Sequence, residues 1–180
     1  MRLSSALASD AAAGQGVLEP ILCGVRVGAV VAAPASTVRI AINDNIDVRR
    51  ALQRGGLEGT ILVIAGGSRS RSACMGGILA RAIKDAGVVA VVTDAPVRDS
   101  SEIAELGLPV WSRGLSPLKP TKVGGGEVGV EVELAGVKVC PGDWVIADDD
   151  GIVVWPAERL EELRANAAEI LIAEARAAKS

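Results

Sequence analysis

The chain has 180 residues, with 19 Lys and Arg against 22 Asp and Glu and 49% hydrophobic residues. That composition fits one globular domain, residues 1–180, able to bury a core without disulfides or metals. It holds no His, which excludes His general bases, Ser-His triads and His-ligated zinc. With no Phe, no Tyr, three Trp and a formal net charge of −3, neither a base-stacking platform nor an autonomous phosphate-backbone binder is expected, so no direct nucleic-acid partner is assigned.

In chain order, residues 4–13 predict a short helix capped by Ser4 or Ser5. Residues 27–33 and 37–42 are β-rich, with Pro34 as the turn signal between them. Asn43 or Asp44 caps a helix that runs to about Arg54 and stops at Gly55 and Gly56. Residues 60–65 form a continuous apolar strand, 66–70 a loop, and 72–86 a helix ended by Gly87. A second apolar strand spans 88–93, a short helix 99–106 and a third strand 109–112. Apolar strands alternating with helices imply parallel pairing buried on both faces.

The pattern then changes. Residues 114–126, rich in Pro, Gly and Lys, predict a long mobile loop. Short strands at 127–134, 137–140, 144–147 and 152–155 predict an antiparallel meander. Pro156 opens a C-terminal helix over 156–180, with Leu160, Leu163, Ala167 and Ile170 on one stripe. The fold class is therefore α/β: a parallel βαβ core plus antiparallel strands and a C-terminal helix.

Cys23, Cys74 and Cys140 are far apart and contain no C-x-x-C pair, so all three are expected as small buried side chains in a reducing compartment. The N-terminus lacks a leader pattern, and the apolar run at 28–35 is too short to span a bilayer. A cytoplasmic protein without membrane contact is expected.

Four segments carry patterns associated with chemistry. Gly124, Gly126 and Gly129 match the dinucleotide spacing, but Val130 to Leu134 alternate like a strand where that motif needs a helix. The segment reads as a glycine loop entering a hairpin. Gly66 to Arg71 follows a strand, and is either an amide cradle for an anion or a plain βα turn. Asp148 to Gly151 reads as a hairpin turn, because its spacing fails the calcium-loop pattern. Asp94 to Glu102 lies at the carboxyl end of a parallel strand, where open α/β sheets place ligands. There Arg98 suits a bidentate carboxylate contact. Asp99 and Glu102 suit either a hard divalent cation or a capping box at the start of the next helix.

Gly77, twenty intervening residues, Arg98-Asp99, two residues and Glu102 match a G-x20-R-D-x-x-(D/E) signature. On it the chain resembles the RraA-like proteins, a group shared by regulators of ribonuclease activity and 4-hydroxy-4-methyl-2-oxoglutarate aldolases. Some members bear the older name of demethylmenaquinone methyltransferases. The similarity extends through Leu7 to Ala11, Asp44-Asn45, Gly76-Gly77-x-Leu79-Ala80, Gly87-Val88, Val97 to Asp99, Gly126 to Val128, Pro141 to Asp143 and Asp148-x-Asp150-Gly151.

The resemblance implies a swivelling β/β/α fold and a homotrimer or hexamer with its site at a subunit interface. In the aldolase branch it implies Mg²⁺ or Mn²⁺ and a small 2-oxo acid. By matched position, Asp99 would be the direct metal ligand. Arg98 would be the catalytic residue that binds the substrate's oxygens and stabilises an enolate. Backbone amides of Gly76, Gly77, Ile78 and Leu79 would hold the substrate carboxylate. Glu102, and a C-terminal acid of a neighbouring subunit matched most nearly by Glu174, would reach the metal through water. Aldol cleavage and oxaloacetate decarboxylation would both release pyruvate through one enolate. The alternative is a non-catalytic regulator that binds a ribonuclease by protein–protein contact, which the acidic net charge suits. A methyltransferase reading lacks the acidic ribose-binding residue its glycine loop would need. Two positions depart from the family pattern. Gly77 stands where aldolase-like members usually carry an acid. Asp94-Ala95-Pro96 stands in place of an Asp-Gly start, exchanging a flexible residue for stiffer ones.

Overall fold

The computed structural model describes residues 3–19, 23–25 and 30–178. In chain order its elements are α1 (Ser5–Ala11), β1 (Cys23–Gly24), β2 (Val31–Arg39), α2 (Ile46–Arg54), β3 (Ile61–Ala65), α3 (Gly77–Asp85), β4 (Ala90–Thr93), α4 (Ser100–Leu106) and β5 (Val110–Ser112). They continue as β6 (Glu127–Val128), β7 (Val132–Leu134), β8 (Val137–Val139), β9 (Trp144–Ala147), β10 (Ile152–Trp155), a 3-10 turn (Ala157–Arg159) and α5 (Leu160–Ala177).

The main sheet runs β1-β5-β4-β3-β2-β9-β10, with β6 also on β2. The pairs β2–β3, β3–β4 and β4–β5 are parallel, and β9 and β10 extend the sheet antiparallel. Every residue of β3 is buried, and the alternation of its side chains explains why. Leu62 and Ile64 join the core under α2, α3 and α4, together with Val48, Ile83 and Ile103. Ile61 and Val63 face the opposite core, which the β7–β8 hairpin covers with Val132, Leu134 and Val139. A third cluster seats α1 and α5 on β9 and β10, through Ala8, Leu163, Ala167 and Trp155. The predicted C-terminal stripe is the buried one: Leu163 and Ala167 are buried, and Leu160 and Ile170 half-buried. Among the described residues no helix is long and apolar enough to cross a membrane.

Four expectations are corrected. Pro34 does not separate two strands but lies within β2. Residues 31–34 pair with β9, and pairing with β3 starts only at Ala35. The Ala35 N–H points to Asp143 O at 2.7 Å, so the position of the missing Pro34 N–H falls on the still unpaired edge. Residues 26–29, where part of this segment was expected to begin as a strand, lie outside the described residues.

The helix expected over 72–86 starts only at Gly77. Ala73, Cys74 and Met75 are buried and not helical, and Ala73 and Cys74 bond to residues far along the chain: Ala73 N–H to Leu118 O (3.1 Å) and Cys74 N–H to Pro96 O (2.8 Å). The strand expected over 127–134 breaks at Gly129, whose φ of +76° turns the chain from β2 toward β8. The four late strands are therefore two separate hairpin systems rather than one meander. Finally, Cys74 is buried but Cys140 is exposed, because the polar 140–143 turn carries it to the surface; the Cys23 side chain lies outside the described set.

Candidate functional site

Arg98 and Asp99 sit on a strap that leaves the carboxyl end of β4. The strap is bound on both sides. Arg98 N–H bonds to Met75 O (3.0 Å), Val97 N–H to Gly114 O (3.0 Å) and Ser116 N–H to Val97 O (2.9 Å). Ala95 is fully buried and fills the space into which a Cβ on Gly67 would project. The Ala and Pro that depart from the family pattern thus serve a segment already held like a strand.

Asp99 is in the left-handed region (φ 56°, ψ 43°) at the N-cap of α4, and its side chain makes no cap bond there. The capping box with Glu102 does not form. Instead, Asp99 Oδ2 accepts the Gly77 N–H at 3.0 Å, and Arg98 Nε lies 3.5 Å from the same oxygen. The two glycines explain the close approach. A Cβ on Gly76 would collide with Asp99 Oδ2 and lie 2.8 Å from Arg98 Cγ. A Cβ on Gly77 would collide with Glu102 Oε2. The carboxylate of Glu102 therefore occupies the volume an acidic side chain at position 77 would enter.

Of the four amides expected to hold a substrate carboxylate, Gly77 N–H is taken by Asp99. The Ile78 and Leu79 N–H groups precede the first intrahelical bond, Ala80 N–H to Gly76 O, and have no partner among the described residues. Leu79 is buried, whereas the Ile78 side chain is 81% exposed.

Gly76, Ile78, Leu79, Arg98 and Asp99 line a cavity of about 300 Å³ that also takes in Asn45, Arg49, Lys119 and Lys122. Sequence reasoning did not assign these last four to the site. They reach it because Asp44 ties α2 to the 114–126 segment: its carboxylate accepts Ile46 N–H (2.9 Å), the Thr121 hydroxyl (2.6 Å) and Val123 N–H (2.6 Å). Burial alone would push the Asp44 carboxyl up, but these donors outweigh it and hold it below its ordinary value. Asp47 adds a bond from Gly126 N–H (2.9 Å). The segment expected to be a mobile loop is irregular and pinned at several points.

The remaining candidates resolve individually. Gly66 and Gly67 donate to the Asp94 carboxylate at 3.1 and 2.9 Å, so the anion in that cradle is the chain's own side chain. No helix starts there, and the segment is a βα turn. Burial raises the Asp94 carboxyl against the pull of those amides and Arg113. Gly124 and Gly126 lead into β6, and no helix follows. Asp148 to Gly151 form the β9–β10 turn, where Asp148 accepts from the backbone N–H (2.7 Å) and hydroxyl of Ser5. Burial, reinforced by Asp94 and opposed by Thr93, pushes the Cys74 thiol up to about 12, which leaves no thiolate beside the strap. Glu174 is on the exposed face of α5 and does not line the cavity of its own chain.

An arginine and a carboxylate on a braced strap, set against a glycine-opened helix start at the carboxyl ends of parallel strands, define an α/β protein with a polar cavity where such sheets place their ligands. Within that class the chain belongs to the RraA-like family, whose model, described as Aldolase/RraA, matches residues 5–154. A relative from Burkholderia multivorans, named "Putative 4-hydroxy-4-methyl-2-oxoglutarate aldolase", is 38% identical over 77% of this chain and 83% of its own length. The RNA-processing inhibitor RraA from Thermus thermophilis is 32% identical, covering 87% of this chain and 94% of that one, with a TM-score of 0.78. RraAS2 from Streptomyces coelicolor, described as an unusual member of the RNase ES inhibitor RraA family, is 26% identical with a TM-score of 0.83, covering 99% and 94%. The expected RraA-like α/β fold is the observed one.

Proposed function

We propose that this protein is a divalent-metal-dependent lyase that releases pyruvate from a 2-oxo acid, of the 4-hydroxy-4-methyl-2-oxoglutarate or 4-carboxy-4-hydroxy-2-oxoadipate aldolase kind, with oxaloacetate decarboxylation through the same enolate. The names of its relatives support a lyase of the aldolase kind. The observation that carries the reading is the pairing of Arg98 with Asp99 against the start of α3, inside a cavity of small-molecule size.

The chain's own groups divide the work. Ile78 and Leu79 N–H hold the substrate carboxylate, where the helix dipole favours an anion. Arg98 donates to the 2-oxo oxygen and stabilises the negative charge that develops there. In aldol cleavage the bond between C3 and C4 breaks, its electron pair becomes the enolate, the C4 hydroxyl gives its proton to water, and C3 is then protonated. In decarboxylation the same enolate forms as CO₂ leaves.

The residues present fit Mg²⁺ or Mn²⁺. Asp99 Oδ1 makes no bond among the described residues, and Glu102 lies next to Gly77 in the same corner. No cluster of three or more acidic or Cys side chains that could cage an ion is found among the described residues. Mg²⁺ needs no such cage: it keeps several waters and uses one or two carboxylates plus substrate. When bound, the ion supplies a Lewis acid for the enolate charge. Ile78 and Leu115, apolar and exposed beside Arg98 and Asp99, support assembly into a homotrimer or hexamer around the site. We assign the enzyme to the cytoplasm.

Pyruvate release is measured from oxaloacetate and from 4-hydroxy-4-methyl-2-oxoglutarate, with Mg²⁺ or Mn²⁺ and with chelator. Metal-dependent release that disappears in a folded Arg98→Ala variant is expected. No release by the wild type with either metal overturns the reading. The likeness to the Thermus inhibitor favours one rival, a non-catalytic regulator binding a ribonuclease. A pulldown from cell extract that recovers no ribonuclease or associated helicase counts against that rival.

A further inference from the structure

Arg98 and Asp99 are carried by a segment with little pairing of its own. The 95–99 strap meets its neighbours by one bridge on each side, Val97 to Met75 and Val97 to Leu115. Burial of Ala95 and Val97 sets which face of the strap points inward, but not how far along the strap lies. A shift along its length would carry the guanidinium and the carboxylate out of the corner at Gly77.

The anchors that prevent such a shift are at the root of the strap. Asp94 is 4% exposed, and its carboxylate accepts Gly66 N–H (3.1 Å) and Gly67 N–H (2.9 Å), with the Ser68 amide and Arg113 adding to the pull. Thr93, fully buried, takes the Ala95 N–H on its hydroxyl at 3.1 Å. A Cβ on Gly67 would collide with the Ala95 Cβ, so the same turn closes around Asp94 and over Ala95. Burying a carboxylate is unfavourable. What such a group can supply in return is one specified arrangement among near alternatives.

We infer that Asp94 is the positioning residue of this site: its carboxylate, clasped by the turn after β3, fixes the strap along its length and thereby places Arg98 and Asp99. Asp94 acts through the strap and touches no substrate.

Backbone amide resonances read that placement without any ligand. The Gly77 N–H reports the Asp99 carboxylate, and the Arg98 N–H reports the bond to Met75 O. In Asp94→Asn, which keeps the shape but sets an NH₂ among the donors, both resonances are expected to move. Their hydrogen exchange should quicken about tenfold while β9 exchanges as in the wild type. Changes confined to Gly66, Gly67 and Ser68 would make Asp94 a brace of its own turn and overturn the inference. Gly67→Ala reaches the root from the other side, lifting the turn off the carboxylate by pushing a methyl into Ala95. It should move the same two resonances, and adding Ala95→Gly should partly restore them. No movement in Gly67→Ala, or no recovery in the pair, overturns the inference even where Asp94→Asn does not fold. Turnover is the second readout, and there the inference rests on the lyase reading. Asp94→Asn should lower kcat for oxaloacetate about 10- to 100-fold with KM within about twofold, since the Ile78 and Leu79 amides are not on the strap. A raised KM at wild-type kcat overturns the positioning role. The resonance changes in a protein that releases no pyruvate keep the role of Asp94 and remove the lyase reading.

Discussion

The carboxylate of Asp99 accepts the backbone N–H of Gly77 at 3.0 Å, so the N-cap residue of α4 caps α3 instead of its own helix. Asp99 holds a left-handed backbone to do so, a conformation that costs a non-glycine residue roughly 1–2 kcal/mol. The contact fixes the carboxylate beside Arg98 and leaves its other oxygen open.

Gly76 makes that approach possible. Gly76→Ala pushes a methyl into Asp99 Oδ2 and against the Arg98 stem. We expect a loss of about 1–3 kcal/mol in stability from overpacking, and at least a tenfold fall in kcat in a folded protein. Urea unfolding and steady-state kinetics measure the two. Wild-type kcat in this variant would show that the Arg98–Asp99 geometry is not needed for turnover.

Arg98→Lys keeps the charge and loses the planar fork. The expected fall in kcat is about 10² to 10³, as for the loss of one oxyanion donor, with circular dichroism unchanged. If lysine restores full turnover, Arg98 acts as a simple point charge, and the assigned contact with the enolate oxygen is wrong.

Glu102 and Gly77 compete for one volume. Gly77→Asp should destabilise the protein through collision with the Glu102 carboxylate. Combining it with Glu102→Ala should recover part of that loss, with a coupling of about 0.5–3 kcal/mol in a double-mutant cycle. Additive effects would mean that the two side chains do not share the space. Glu102→Gln alone should weaken Mn²⁺ binding, read by calorimetry or by electron paramagnetic resonance of the free ion.

Asp148 ties α1 to the β9–β10 turn. Burial works to raise its carboxyl, but the Ser5 hydroxyl and N–H and the Asp150 N–H outweigh burial and hold it below its ordinary value. A carboxyl lowered by folding adds stability that is complete above its unfolded value, about 4. That stability is lost as pH falls through the lowered folded value. Urea unfolding between pH 7 and pH 2.5 should show this acid-side loss in the wild type and a flatter profile in Asp148→Asn. Identical profiles would remove Asp148 from the acid response.

Much of the fold was legible because the cues were local. Residues 61–65 are apolar without a break, and a strand of that kind is buried on both faces wherever it lies in a parallel sheet. The Asp148 turn carried its own hairpin cue. Pro34 misled because its local cue was real: a proline does mark a lost donor. Only the change of partner from β9 to β3 makes the loss harmless inside a strand. Residues 72–76 misled for the opposite reason. Their helical promise gave way to bonds from the Ala73 and Cys74 N–H groups to the Leu118 and Pro96 carbonyls, which no local window contains.

In the site, Arg98, Asp99 and Glu102 were legible because they are contiguous. Asn45, Arg49, Lys119 and Lys122 were not, because two distant segments are brought together by long-range bonds such as those of Asp44 to Thr121 and Val123 and of Asp47 to Gly126.

By itself the sequence determined the chemical inventory. With no His, the groups the chain can bring to catalysis are carboxylates, Arg, Lys, Cys, Ser and backbone amides, and Arg98-Asp99 follow the end of a parallel strand. The tertiary structure decided which donor each carboxylate found. Asp99 bonds to Gly77, 22 residues back, and Asp94 to Gly66 and Gly67, 28 and 27 back. A carboxylate is drawn to whichever free N–H groups docking brings within about 3 Å. Only the packed chain sets that distance.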